Sequence, residues 1–223
     1  MKLPITKYGL PQVVLFPVIL GGLGVLAILL LKPGWPLYLV TGIIAILLVF
    51  TLAFFRDPPR NIIQDDKVLL SPADGTITDI SELSDSPLGV PSKRIGIFLS
   101  VFNVHINRSP CRAKVTRIEY RKGEFRNAMS PESGKVNESN DLYLERVSPP
   151  LGTVLVRQIS GAIARRIVCM VKEGDTVEQG ERFGMIKFGS RTELYIPIHE
   201  NLTLEAKVGQ KVKAGLTSLA RYK

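Results

Sequence analysis

The pattern of apolar and polar positions divides this chain in two. No residue from Tyr8 to Leu31 is charged, and none from Pro33 to Phe55. Each run matches the roughly 20 residues that a helix needs to cross a hydrocarbon core of about 30 Å. The break between them, Leu31-Lys32-Pro33-Gly34-Trp35-Pro36, joins turn formers to an aromatic suited to a membrane interface. Residues 1–56 are therefore expected to form an N-terminal helical hairpin, with segments at 8–31 and 33–55. Pro11 and Pro17 weaken the first run as a regular helix without excluding it, since proline is tolerated in membrane helices. Both runs exceed the apolar region of a signal peptide and no small-residue cleavage pattern follows, so the hairpin is expected to stay on the chain.

After Arg56-Asp57-Pro58-Pro59-Arg60, a charged and proline-rich boundary, the pattern changes to short β-branched runs punctuated by Gly, Pro and Asp. These predict a mainly β domain over 57–223. Its strands are expected at Val68–Leu70, Gly75–Ser81, Arg94–Val101, Ala113–Tyr120, Leu142–Val147, Thr153–Ile159, Arg165–Val171, Arg182–Phe188, Glu193–Pro197 and Leu202–Lys207. Gly123 to Asn140 reads as a long polar loop, of a length that is often functional in a compact domain. Ser84 to Ser92 reads as a surface excursion. A weak repeat, Gly-x-x-Val-x-x-Gly, links Gly174 to Gly180 with Gly209 to Gly215. It resembles the turns of biotinyl/lipoyl-type hammerhead barrels, without the Met-Lys-Met tip that carries their cofactor. The fold expected is thus a β barrel-sandwich resembling a biotinyl/lipoyl-like hybrid, preceded by the α-helical hairpin.

The net charge of +9 lies mostly downstream of the hairpin. No recognition helix, zinc pattern or RNA-binding motif accompanies it, so nucleic acid is not the expected partner. An anionic membrane surface is, at about 1 kcal/mol per Lys or Arg near it. Lys2 and Lys7 precede the first apolar run, Arg56 and Arg60 follow the second, and only Lys32 lies between, which places both flanks on the cytoplasmic side. A hairpin that dips into one leaflet is the alternative. Cys111 and Cys169 are far apart and read as two reduced thiols, in keeping with a cytoplasmic domain. The Asn-x-Ser/Thr matches at Asn107, Asn137 and Asn201 then arise by chance.

Few residues can carry chemistry. His105 leaves an apolar strand beside Asn and Arg and belongs to the residue type that titrates near neutral pH; a hydrogen-bonded structural histidine is the plainer reading. His199 reads as a surface residue. Asp74, in an Asp-Gly turn, is explained by turn chemistry alone. Two histidines and no clustered carboxylates give no metal site, and no phosphate-binding glycine loop or hydrolase elbow is present. Gly189-Ser190 is an ordinary turn dipeptide, but such a bond is also one that a protein can cut. The serine hydroxyl can attack the preceding carbonyl, convert the amide to an ester and release the upstream chain by β-elimination. Dehydroalanine remains, and it hydrolyses to a pyruvoyl group.

Taken in order, Pro72-Ala73-Asp74-Gly75, Asn103-Val104-His105-Ile106-Asn107-Arg108-Ser109-Pro110, Val136-Asn137-Glu138-Ser139-Asn140, the Ile159-to-Ile167 segment and Phe188-Gly189-Ser190-Arg191 resemble the pyruvoyl-dependent phosphatidylserine decarboxylase family in its short, membrane-anchored form. The resemblance covers the chain from about Arg56 onward. It implies cleavage between Gly189 and Ser190 into a large chain, 1–189, and a small chain, 190–223, that stay together as a heterodimer. Ser190 would become the covalent pyruvoyl cofactor and form a Schiff base with phosphatidylserine, and loss of CO₂ would give phosphatidylethanolamine. His105 matches the proton donor and Asp74 the acidic position of self-cleavage. Longer members carry a second histidine where this chain has Arg108, which leaves the base that activates Ser190 open. The setting implied is the inner membrane, with the catalytic domain in the cytoplasm; homo-oligomerisation stays open. Two other readings stand beside it, a non-enzymatic membrane adaptor and a decarboxylase of another serine-headgroup lipid such as an ether-linked one.

Overall fold

The computed structural model describes residues 5–162, 166–187 and 189–223. It comprises two compact units, 1–59 and 60–223.

In the first unit a short 3-10 turn (Lys7–Gly9) leads into α1 (Leu10–Leu30), and α2 (Trp35–Phe54) follows. Pro11 sits in the first turn of α1, where its missing N–H costs nothing, and the helix runs through Pro17. Thr41 and Thr51 donate their hydroxyls to the carbonyls of Leu37 and Leu47 one turn back, at 2.9 and 2.8 Å, so the helix faces carry no open polar group there. The Thr6 N–H bonds the Phe55 carbonyl at 2.9 Å, which ties the start of the hairpin to its end. Most of the apolar surface of both helices is exposed, and both are long and apolar enough to cross a membrane.

The second unit is mainly β. Its strands are β1 (Val68–Leu70), β2 (Gly75–Leu83), β3 (Ser92–Leu99), β4 (Ile106–Arg108), β5 (Ala113–Arg121), β6 (Ser139–Arg146) and β7 (Thr153–Ile159), followed by β8 (Ile167–Cys169), β9 (Thr176–Val177), β10 (Arg182–Ile186), β11 (Ser190–Pro197), β12 (Leu202–Leu204), β13 (Lys211–Val212) and β14 (Ser218–Tyr222). A single helical turn, α3 (Ser133–Val136), lies in the expected long loop. Eight strands form one curled sheet in the order β13-β2-β3-β11-β7-β6-β5-β9. Two three-stranded sheets, β1-β14-β12 and β4-β10-β8, complete the unit. The expected mainly β domain behind two apolar helices is what the structure shows. The strand ends differ: β3 stops at Leu99, β12 at Leu204 and β8 covers only Ile167–Cys169. Arg165 and Phe188, expected in strands, lie outside the described residues.

The repeat seen in the sequence is structural. β9 and β13 form the two edges of the large sheet, and the glycines of both copies have left-handed φ, +93° and +76° at Gly174 and Gly180 and +85° and +70° at Gly209 and Gly215. Gly174 N–H bonds the Val115 carbonyl as Gly209 N–H bonds that of Ile77. A second repeat escaped the sequence reading. Ser71-Pro72 and Ser109-Pro110 exchange bonds symmetrically, since Leu70 N–H donates to Pro110 O at 2.9 Å and Arg108 N–H to Pro72 O at 3.0 Å.

Strand side chains alternate between faces. One face of the large sheet packs a core that includes Ile77, Ile97, Leu144, Val156, Leu194 and Ile196, all buried. At roughly 1.5–3 kcal/mol per buried large aliphatic side chain, this face dominates the stability of the unit. The opposite face of β11 carries Arg191, Glu193 and Tyr195, which are also buried, so the strand is covered on both sides. There Arg191 donates to Asp79 at 2.7 Å and to Glu193 at 2.8 Å, and Arg157 to Asp141 at 2.6 Å. Glycine makes room for this network: a Cβ on Gly96 would stand 1.9 Å from the Arg191 guanidinium.

Candidate active site

β10 belongs to the small β4-β10-β8 sheet and β11 to the large one, so the chain changes sheets between Ile186 and Ser190. Gly189 makes the turn with φ +65°, in the region that a side chain would strain. Ser190 opens β11, opposite Leu99 of β3. By alternation its side chain shares the inner face with Thr192, Leu194 and Ile196. Ser190 is fully buried, and its hydroxyl has no hydrogen-bond partner among the described residues. A buried hydroxyl normally finds a partner. One left open beside the Gly189 carbonyl is a group that chemistry could use.

His105 faces this turn. β3 ends before it, and the reversal Ser100–Asn103 separates the two, so His105 precedes β4 and does not end an apolar strand as expected. Its ring is buried, with Nδ1 3.0 Å from the Asn103 carbonyl and Nε2 3.3 Å from the Gly189 nitrogen. A carbonyl only accepts, so Nδ1 carries the proton and Nε2 presents its lone pair to the Gly189 N–H. The imidazole is thus oriented by backbone and accepts from the N–H of Gly189, the residue before Ser190.

A buried polar chain links β4, β11, β7 and β6. Asn107, on β4, donates to Thr192 Oγ1 at 3.1 Å, Gln158 donates to Asn107 Oδ1 at 2.9 Å, and Asn140 donates to Gln158 Oε1 at 3.1 Å. In a dry interior such satisfied networks specify one arrangement. Asn137, also buried, donates to the carbonyls of Ser160 at 2.8 Å and Arg126 at 2.9 Å. Gly161, next in the chain to Ser160, lies against the Gly189 carbonyl: a Cβ on Gly161 would stand 2.3 Å from Gly189 O. The Asn137 and Gly161 positions were visible in the sequence only as parts of longer motifs, and their work on the carbonyl was not.

The other expected residues lie elsewhere. Asp74 accepts from both Arg60 guanidinium nitrogens, at 2.7 and 2.8 Å, and from the Ala214 N–H at 2.8 Å. Neither His105 nor Ser190 is among its partners, so the structure does not bring Asp74 to the Gly189–Ser190 bond. Arg108 donates to Gly180 O at 3.0 Å and packs its stem on Gly215, within the repeat turns. His199 is exposed. Lys187 is buried, and burial, with the Arg166 charge added, lowers its ammonium pKa. The two cysteines are free; burial pushes the Cys111 thiol up to about 12. No metal-binding cluster occurs among the described residues.

A cavity of about 270 Å³ ends at Gly189. Phe98, Val101, Phe102, Ala128 and Ala162 line it, Ser100 and Asn127 are its polar side chains, and no charged side chain contributes among the described residues. It is of a size to take a small polar group into apolar surroundings.

Comparison with known proteins agrees with this geometry. The phosphatidylserine decarboxylase family profile matches residues 47–220. A phosphatidylserine decarboxylase proenzyme of Rhodopirellula baltica is 44% identical over 223 residues, covering 99% of this chain and 89% of that protein. Proenzymes of the same name from Carboxydothermus hydrogenoformans and Salinibacter ruber are 42% and 45% identical, covering 81% and 78% of this chain and 84% and 76% of theirs. A buried serine after a left-handed glycine, a backbone-oriented histidine and a match through both units thus lead to one conclusion: this chain belongs to the phosphatidylserine decarboxylase family.

Proposed function

We propose that the chain cuts itself between Gly189 and Ser190, converts Ser190 to a pyruvoyl group, and uses it to decarboxylate phosphatidylserine to phosphatidylethanolamine. The observation that carries this reading is the open, buried Ser190 hydroxyl beside Gly189 at φ +65°, with His105 Nε2 on the Gly189 N–H. In the cut, the Ser190 Oγ–C bond to the Gly189 carbonyl forms as the C–N bond breaks. His105, whose Nε2 lies 3.3 Å from the neighbouring Gly189 nitrogen, takes the hydroxyl proton and later the Ser190 α-proton, when the Gly189 carboxylate leaves. One water enters and one ammonia departs as Ser190 becomes the ketone.

The surroundings of Ser190 fit that group: the residue is buried, its Oγ has no hydrogen-bond partner among the described residues, and the preceding Gly189 lines the cavity. A pyruvoyl ketone supplies a carbonyl that condenses with the headgroup amine and an electron sink for the pair left when CO₂ departs. The cavity, lined mainly by Phe and Ala side chains, favours loss of the carboxylate charge by withholding water from it. His105, held through Nδ1 by the Asn103 carbonyl, returns one proton from Nε2 to the α-carbon. Arg166 and Lys187 add positive charge upstream of the cut, which suits an anionic headgroup. Asp74 acts as a positioning residue that locks Arg60, the first residue of this unit, to the Ala214 turn. The apolar hairpin keeps the domain at the inner face of the cell membrane, on the cytoplasmic side, where the lipid chains need not leave the bilayer.

Intact-mass measurement of the purified protein tests this. Two chains divided at Gly189/Ser190 are expected, the small one starting with a keto group and so closed to Edman sequencing. Ser190→Ala should give one uncut chain without decarboxylase activity. An uncut native chain that still releases CO₂ from phosphatidylserine would overturn the reading.

A further inference from the structure

Two turns flank the mouth of the cavity that ends at Gly189, and each shows an apolar side chain to solvent. In the first, Ser100 N–H and Oγ both donate to Asn103 Oδ1, at 2.9 and 2.8 Å, and Asn103 N–H returns a bond to Ser100 O at 2.9 Å. Phe102 sits at its tip, 75% exposed. In the second, Met129 N–H donates to Asn127 Oδ1 at 3.0 Å and Ser130 N–H to Asn127 O at 3.3 Å, with Met129 55% exposed. Phe102, Asn127 and Ala128 all line the cavity. Large apolar side chains held in the open on two turns that both line one cavity form a surface suited to an apolar phase.

The chemistry of the substrate names that partner. A two-chain phospholipid keeps its acyl chains in the bilayer, because withdrawing each CH₂ costs about 0.8 kcal/mol. Only its headgroup can enter the cavity, so the mouth must meet the bilayer face to face. We infer that Phe102 and Met129 enter the interfacial layer of a phospholipid bilayer and seat the cavity mouth on it. The Phe102 turn also supplies the Asn103 carbonyl that orients His105. The surface that meets lipid is thus one residue from the group that holds the base. This rests on Gly189–Ser190 as the reactive bond and on the cavity as the headgroup site.

The test uses the full chain in vesicles of phosphatidylserine and phosphatidylcholine. Trp35 is the only tryptophan, so Trp35→Phe combined with Phe102→Trp, or separately with Met129→Trp, gives single reporters. Both should emit at shorter wavelength in vesicles than in a soluble short-chain detergent, and phosphatidylcholine brominated near the top of its chains should quench them. Met129→Asp should raise the apparent KM for vesicle phosphatidylserine by about tenfold, the scale of one lost side-chain burial, while turnover of a water-soluble short-chain phosphatidylserine is kept. Water-like, unquenched emission at both positions, with Met129→Asp indistinguishable on vesicles, would sink the inference. Mass spectrometry of the same samples reports the cut separately. Quenching without a cut faults the pyruvoyl reading alone, and a cut without quenching faults the docking surface alone.

Discussion

Replacing Gly161 by alanine probes the reactive carbonyl without touching a group that moves protons. The added Cβ would lie 2.3 Å from Gly189 O and 3.2 Å from Gly189 C, both backbone atoms, with the Ala128 Cβ 3.1 Å away on another side. A carbon and a carbonyl oxygen rest at about 3.3 Å, so the carbonyl must give by about 1 Å, and Ala128 limits how far the new methyl group can retreat. Gly161 is not in the left-handed region, so space alone is at stake. Overpacking of this kind costs about 1–3 kcal/mol, which a domain stable by about 5–15 kcal/mol survives. The catalytic cost is larger in effect, since a 1 Å misplacement of a reacting group lowers rates by about 100-fold. Gly161→Ala should therefore accumulate as a folded, uncut precursor. Its conversion, followed by gel and intact mass, should run about 100-fold slower than that of the native chain, with an unchanged far-ultraviolet dichroism spectrum. Gly22→Ala, in α1 with nothing within 4 Å, is the control that should be cut normally. A Gly161→Ala chain that is cut at the native rate would refute the confinement of the Gly189 carbonyl.

Three further outcomes follow from the same geometry. His105→Ala should lower decarboxylation by about 10²–10⁴-fold, measured as CO₂ release from pre-cut enzyme, because general acid–base groups contribute on that scale. Asp79→Asn removes the charge that the fully buried Arg191 guanidinium faces at 2.7 Å and should cost about 3 kcal/mol in urea unfolding; an unchanged midpoint would show that Glu193 alone holds Arg191. Cys111 is neutral in the folded state up to about 12 but ionises from about 9 when exposed. The unfolded chain therefore holds fewer protons above about pH 9, and stability falls as pH rises. Between about pH 8 and about pH 10 the loss is about 1.4 kcal/mol, visible as a lower urea midpoint that Cys111→Ala should partly restore.

How far the sequence displayed this arrangement depended on what each residue packs against. The hairpin was legible because unbroken apolar runs have few other uses. Strands such as Val68–Leu70 and Thr153–Ile159 were legible from their β-branched content. The start of β11 was not, since Ser190, Arg191, Thr192 and Glu193 read as a polar turn leading to a strand at Glu193. In the fold Arg191 and Glu193 neutralise each other at 2.8 Å and with Asp79, so a central strand carries charges that its neighbours cancel. β4 was hidden for a related reason: three residues, Ile106 to Arg108, are too few to show a period, and the side-chain partners of Asn107, Gln158 and Thr192, lie 51 and 85 positions away. Of the site, Ser190, Gly189 and His105 were found through motifs and do come together. Asp74 was found in the same way, but its partner Arg60 lies 14 positions upstream with no local pattern to announce it. Asn103 orients His105 through a backbone carbonyl, which any residue could supply, so its identity shows only in the bracing of the turn.

The position of the Gly189–Ser190 bond also explains how a chain can break there and keep its architecture. Downstream of it lie β11 to β14. β11 is inserted between β3 and β7, with eight register pairs to the first and five to the second. β13 pairs β2 and β14 pairs β1, both upstream. Only the β12–β14 contact joins two strands of the downstream segment. Every other ladder that holds residues 190–223 is made with residues before the cut, so severing one peptide bond removes no strand pairing. The outer-face network adds to this. Arg191, the second residue of the new chain, is clamped by Asp79 from β2 and by Glu193, which holds the end of β11 in place once it becomes a terminus. On one side of the bond Gly189 occupies a left-handed turn, and on the other the chain is held from Arg191 onward. In the proposed cut that asymmetry would let the glycine side depart as a carboxylate while β11 keeps the serine side fixed.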